Sequence, residues 1–285
     1  MNKYYQIAGH VVCCSGDKLC MAVNRIEGFH PFAWQGEPSE VSFTFAEGQE
    51  VPDMQEELYP FVYEDVQSSF GRTTNGYLLV EKPAAEEAFY MWCDSSRKVV
   101  YLSGNWSLRL YRFAMWLGYG LMTLPEQTLA IHSSCIVYQN QAVLFLGESG
   151  TGKSTHTRLW REHIEGAVLL NDDSPILRVE DGKVWVYGSP WSGKTPCYKA
   201  ERYELKGCVR LSQAPHNRIR KLSILEAYGA IHPSCAPEFA YDDLLYDEVS
   251  HTLGQILRGI PIYHLECLPN SDAAHLSSQT IFSCY

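Results

Sequence analysis

The stretch FLGESGTGKSTHTRLW, Phe145 to Trp160, narrows what this chain can become more than any other. Gly147, Gly152, Lys153 and Ser154 fit the spacing G-x-x-x-x-G-K-[ST]. The apolar run Ala142 to Leu146 precedes the loop and a helix-compatible run follows it, the strand-loop-helix setting in which this spacing has chemical meaning. Glycines let successive backbone N–H groups curl around a phosphate, and the N-terminus of the following helix adds partial positive charge. Gly147, Ser149, Gly150, Thr151, Gly152, Lys153, Ser154 and Thr155 are therefore the expected nucleotide-binding residues, with the amides of Gly150 to Ser154 forming the cup. Lys153 is expected to reach the β and γ oxygens, Ser154 to ligate Mg²⁺ and Thr155 to support the start of the helix. The ligand this loop implies is ATP or another nucleoside triphosphate with Mg²⁺, and no motif that reads adenine or guanine is visible.

Composition limits the partners. A chain of 285 residues, 46% hydrophobic and 20% charged, can bury one large core or two smaller ones. A net charge of −10 argues against nucleic acid and against anionic membrane surfaces, since both need an excess of Lys and Arg on one face. The ten cysteines show neither a CxxC pair nor a metal-ligand spacing with histidine, which reads as reduced thiols in a cytoplasmic protein. The opening MNKYYQIAGH has no apolar core of signal-peptide length. The most apolar helix candidate, Leu108 to Leu124, is interrupted by Arg109 and Arg112 and falls short of the roughly twenty apolar residues that span a bilayer.

The pattern changes along the chain. HVVCC, SFTF, GYLLV, FYMWC and KVVYLS alternate apolar and polar residues between breaks, so residues 1–105 are expected to form a β-rich domain. Residues 106–126 read as a connecting helix closed by Pro125, and residues 127–285 as a mixed-sheet α/β domain. In that last part CIVY and AVLFLG are strands, GAVLLN is a buried strand, and PILRVEDGKVWVYG is a hairpin whose Asp181-Gly182 pair suits a two-residue turn. Leu245, Val249, Leu253 and Ile256 recur at helical spacing, Pro261 to Cys267 is strand-like, and Asn270 or Ser271 can cap a last helix.

Asp172 and Asp173 follow the buried strand AVLL, where α/β sheets place their sites. Phosphoryl transfer needs one acid for the metal and a group that takes or orients the proton of the attacking hydroxyl, and two adjacent acids can divide those tasks. Asp is also a turn former, so the alternative is that the pair only opens the turn before Pro175. His132 precedes the loop on an expected neighbouring strand, in either a structural or a functional role. Arg218, in APHNRIRKLS, is the candidate cation for the transferring phosphoryl group, with Arg220 beside it; a solvated strand end explains both as well. YGSPWSGK, Tyr187 to Lys194, is either a second anion-binding turn through Ser192, Gly193 and Lys194 or a tight Pro-Trp turn.

The run from His132 through the glycine loop to LLNDD resembles the catalytic domain of bacterial HPr kinase/phosphorylase, over roughly Ala130 to Phe282. The resemblance implies a mixed-sheet P-loop fold of the phosphoenolpyruvate carboxykinase type and an Mg-ATP-dependent kinase acting on a serine-type hydroxyl of a protein, peptide or small molecule. It implies Lys153 and Ser154 on the phosphates and Mg²⁺, Asp172 on the acceptor hydroxyl, Asp173 supporting the metal, and His132 tuning the transferred phosphate. It leaves a homo-oligomer open. Thr155 stands where that family usually carries Glu, and the glycine-rich signature associated with phosphorolysis is not recognisable, so phosphorylase activity is not expected. The alternative is a nucleotide-binding sensor without phosphotransfer.

Overall fold

A computed structural model describes residues 1–63, 65–104, 107–193 and 195–283. The chain is α/β with two mixed sheets and divides into two compact units. The first unit is Met1–Pro125 together with Pro237–Tyr246, a segment supplied from the far half of the chain.

The first unit contains β1 (Asn2–Ile7), β2 (His10–Ser15), α1 (Asp17–Asn24), β3 (Phe43–Glu47), β4 (Glu56–Tyr63), β5 (Val66–Arg72), β6 (Gly76–Pro83), β7 (Phe89–Asp94), β8 (Val99–Gly104) and α2 (Leu108–Thr123). Its sheet runs β1-β2-β3-β8-β7-β6-β5-β4. The β2/β3 and β3/β8 contacts are parallel, because the chain is carried back before β3 by α1 and the connection after it, and again between β3 and β4 by residues 48–55. The expected helix is α2, starting after Ser107; Trp106 lies outside the described residues. Tyr111, Met115, Tyr119 and Met122 recur at helical spacing on its buried side. Pro237–Tyr246 is fixed to this unit by Asp242, whose carboxylate accepts from Arg72 Nε at 2.6 Å and Tyr77 Oη at 3.0 Å.

Glu81, on β6, is 3% exposed and opposite Ser68 of β5, and neither Glu81 Oε2 nor Ser68 Oγ has a hydrogen-bond partner among the described residues. Burial pushes the Glu81 carboxyl up to about 8 from its ordinary 4.5, against the opposing field of Arg109. Between those two values the folded chain holds a proton that the unfolded chain has released. Stability therefore falls as pH rises from about 4.5 to about 8, by up to about 1.4 kcal/mol per pH unit. Glu238, buried and pushed up to about 7, adds to the slope. Urea denaturation of Glu81→Gln across this range should show a shallower pH dependence and a higher midpoint at pH 8; an unchanged slope would mean that Glu81 is ionised in the fold.

The second unit comprises Glu126–Ala236 and the chain from Asp247 onward. It contains β9 (Thr128–Ala130), β10 (Ser133–Tyr138), β11 (Gln141–Leu146), α3 (Lys153–His163), β12 (Val168–Asp173), β13 (Ile176–Glu180), β14 (Lys183–Tyr187), β15 (Arg202–Gln213), β16 (Arg218–Lys221), α4 (Ile224–Ile231), α5 (Asp243–Gly259), β17 (Ile262–Cys267) and α6 (Ser271–Phe282); the first four residues of α5 belong to the inserted segment. The sheet order is β12-β10-β11-β15-β14-β13-β9, and β17 also pairs with β15 and carries β16 on its other side. Parallel β11/β15 and β15/β17 pairs form the centre, and antiparallel strands flank them.

Local chemistry explains these elements. Asp181 and Gly182 take φ of 50° and 75°, the paired left-handed conformation that lets two residues join β13 to β14. Ser223 and Glu226 form a capping box at α4, and the Asn270 side chain accepts from Ala273 N to start α6. Trp160 and Leu159 of α3 bury against Val143 and Phe145 of β11, Val209 and Leu211 of β15, and Ala274 and Ile281 of α6. Trp160 Nε1 donates to Ser277 Oγ at 2.9 Å, so the largest core side chain also satisfies its one donor. This packing fixes the start of α3 at the carboxyl end of β11.

Candidate active site

Between β11 and α3 the backbone turns on three glycines. Gly147 has φ of 153°, and a Cβ there would fall 2.5 Å from Thr151 Oγ1, so no side chain fits. Gly152, with φ of 104°, is the N-cap of α3. The loop is braced within itself: the Thr151 hydroxyl and backbone N–H both donate to the Glu148 carbonyl. Gln213 Nε2 donates to the Gly150 carbonyl at 3.3 Å, tying the loop to the end of β15. Ser149 and Gly150 are exposed at its tip, Ser154 is exposed on the first turn of α3, and Thr155 is half-buried behind it.

Lys153 Nζ donates to the carbonyls of Gly147 at 2.7 Å and Glu148 at 3.1 Å and contacts His132 Nε2 at 3.0 Å. His132 is in the bend just before β10 rather than within a strand, and its backbone N–H donates to the Ser234 carbonyl at 2.7 Å. Its Nδ1 is 3.1 Å from Asp173 Oδ1. An ammonium has no acceptor, so His132 Nε2 accepts from Lys153 and the ring proton resides on Nδ1, directed at the Asp173 carboxylate. Burial lowers the Lys153 pKa, opposed by Asp173 and Asp172 and reinforced by Arg210.

The two acids end β12, which pairs with β10 so that Asp172 is opposite Ser134 and Asp173 opposite Ser133. Asp172 is 5% exposed and accepts from Ser154 Oγ at 3.2 Å. Asp173 is half-exposed and carries φ of 132°, a strained value for a residue with a side chain. What holds it there is the segment Ser189 to Gly193. Gly193 N donates to the Asp172 carbonyl at 2.6 Å, and Ser192 Oγ lies 3.1 Å from the same carbonyl and 2.7 Å from that of Thr195. A Cβ on Gly193 would come within 3.1 Å of Asp173 Cβ, so glycine allows this close approach. Asn171, fully buried, donates to the Trp191 carbonyl at 3.1 Å and to Ser189 Oγ at 3.3 Å, and accepts from Ser174 N at 3.0 Å. Gly193 thus uses its N–H to support the strand end that carries the acids. Lys194, named with them in the sequence, lies outside the described residues.

Arg218 makes no hydrogen bond or ion pair with this cluster among the described residues. It begins β16, opposite Glu266 of β17, and β16 is three strands from β11, about 14 Å at the usual strand spacing. Arg220 is held by Glu226 at 2.9 Å. The cation beside the glycine loop is Arg210, level with Leu146 in the parallel β11/β15 pair, with Nη2 3.7 Å from Glu148 Oε1. Nothing local in VRLSQ marks it; its place depends on a register between distant strands. His156, one turn into α3, is pushed down to about 4 by burial and bonds to Ser277 Oγ at 3.1 Å, a structural role. No cluster of three or more His, Cys, Asp or Glu suited to a metal occurs among the described residues.

No protein-family model matches this sequence, and no curated protein matches it. The chain is similar to a solved kinase/phosphatase. That structure is the HPr(Ser) kinase/phosphatase from Coxiella burnetii, matched at 14% identity over 53% of this chain and 93% of the other, with a TM-score of 0.30. A likeness at that score carries no argument about chemistry, which rests on the side chains themselves. No helix among the described residues is long and apolar enough to cross a membrane.

Proposed function

We propose that this protein is an Mg-ATP-dependent kinase that transfers the γ-phosphoryl group to a serine-type hydroxyl of a protein, peptide or small molecule. The observation that carries this reading is the continuous set Asp173–His132–Lys153, with Ser154 on Asp172 beside it, joining a glycine loop to two strand-end acids. The glycine loop is then a P-loop, with the amides at the start of α3 and Lys153 receiving the polyphosphate.

Ser154 Oγ and Asp172 Oδ1 are hard oxygen donors 3.2 Å apart, which suits Mg²⁺ that takes its other ligands from phosphates and water. The ion would supply neutralisation of the charge shared by the β and γ phosphates. Asp173, half-exposed and hydrogen-bonded to His132, is left to take the proton of the acceptor hydroxyl. As that proton passes to Asp173, the acceptor oxygen bonds to the γ phosphorus and the bond to the β-bridging oxygen breaks, releasing ADP. This exchanges the roles of the two acids relative to those the family resemblance implies. The reason is geometric: Asp172 is the acid in contact with the loop serine.

The test is incubation of the purified protein with γ-labelled ATP, Mg²⁺ and a lysate of the source cells. Label on a serine-bearing acceptor is the expected outcome. Label released only as inorganic phosphate would make the protein a nucleotidase, and intact ATP retained on the protein would make it a sensor.

A further inference from the structure

Arg210 and Lys153 form an arrangement that a bare glycine loop does not require. Val209 and Leu211 of β15 face the core under α3, so by strand alternation Arg210 projects from the opposite face of the sheet. There its Nη1 lies 3.4 Å from the carbonyl of Ala230, near the C-terminus of α4, while Nη2 reaches back to Glu148 in the loop. Lys153 Nζ donates to the Glu148 carbonyl while Arg210 faces the Glu148 carboxylate, so two cations converge on one loop residue. The hydrogen-bond partners of Lys153 are neutral: two carbonyls and an imidazole nitrogen. The anion nearest Arg210 is Glu148, whose side chain is 86% exposed and whose 3.7 Å separation is longer than a hydrogen bond. An exposed pair of this kind contributes little and is readily exchanged.

We propose that Arg210 binds the terminal phosphate of the nucleotide and that Glu148 is its placeholder, the Arg210–Glu148 pair being replaced by an Arg210–phosphate pair when the triphosphate enters. This inference rests on the reading of the loop as a triphosphate site. It replaces the cation expected at Arg218 with one reaching the loop from the face opposite α3, so the terminal phosphate would be met from two sides. A guanidinium can engage two phosphate oxygens at once, which a lysine cannot. Glu148, as an internal anion competing for Arg210, raises the discrimination between triphosphate and diphosphate: only a ligand with a third phosphate displaces it.

Calorimetric titration with ATP and with ADP, at saturating Mg²⁺ and low ionic strength, tests this on the wild type, Arg210→Gln, Arg210→Lys and Glu148→Gln. Arg210→Gln should weaken ATP by about tenfold or more and ADP by less than about twofold, with Arg210→Lys between it and the wild type. Glu148→Gln, a change at an exposed side chain, should tighten ATP severalfold. A purely structural pair makes the opposite forecast, because losing either partner would loosen the loop. In that case Glu148→Gln and Arg210→Gln would both weaken ATP and ADP alike, and the proposal is overturned. If the wild type binds ATP and Arg210→Gln binds it equally well, this inference fails while the triphosphate site stands. If the wild type binds neither nucleotide, both fall together.

Discussion

Lys153→Ala should lower the affinity for ATP by at least about a hundredfold. The ammonium has three donors, all directed at acceptors on or beside the loop: the Gly147 and Glu148 carbonyls and His132 Nε2. A phosphate offered at the same place replaces these neutral acceptors with charged ones. Hydrogen bonds to charged groups contribute about 1.5–3 kcal/mol each, so losing two costs about 3–6 kcal/mol, or two to four powers of ten in binding. Alanine also leaves the two carbonyls and His132 without their donor, so the thermal midpoint should be recorded alongside, and Lys153→Met, which keeps the aliphatic stem, should show the same loss. ATP affinity that survives in a folded Lys153→Met variant would mean that the loop is not a polyphosphate site.

The two aspartates should fail in different ways. Asp173→Asn removes the carboxylate bonded to His132 Nδ1 and is expected to reduce turnover by about a hundredfold to ten-thousandfold, the usual share of general-base catalysis, with ATP affinity nearly unchanged. Asp172→Asn retains an oxygen that can accept from Ser154 but loses the charge, so its defect should appear as a higher Mg²⁺ concentration for half-maximal rate. Steady-state kinetics over an Mg²⁺ series separates them. If the defects are interchanged, the assignment implied by the family resemblance is the correct one and the Ser154–Asp172 contact is a resting arrangement.

What could be read in the sequence is what short-range chemistry specifies. The glycine spacing, the Asp181-Gly182 turn and the helical recurrence of Leu245, Val249, Leu253 and Ile256 each reflect neighbours a few residues apart, and the structure contains the loop, the hairpin and α5. The five strand-like runs of the first hundred residues correspond to β2, β3, β6, β7 and β8. β1, β4 and β5 were not legible, because NKYYQI and VQSSFGR lack alternation and Pro60 interrupts EELYPFVY; an edge position tolerates the proline. Arg210 was hidden for another reason. Its nearness to the loop comes from the parallel pairing of β11 with β15, a register that no local pattern encodes. The same holds for Gly193, whose N–H meets the Asp172 carbonyl only once β12 is in place.

Asp242 has a consequence for anyone wishing to take the protein apart. Because the polypeptide leaves the second unit at Pro237, docks Phe239 beside Gly120 and Asp242 on Arg72 and Tyr77, and returns at Asp247, the two units are not consecutive stretches of chain. A fragment starting at Glu126 would carry an orphaned arm with a bared phenylalanine and an unmatched carboxylate. Grafting a different first unit onto the second therefore calls for three splice points, at 125/126, 236/237 and 246/247, where a conventional tandem arrangement would need one.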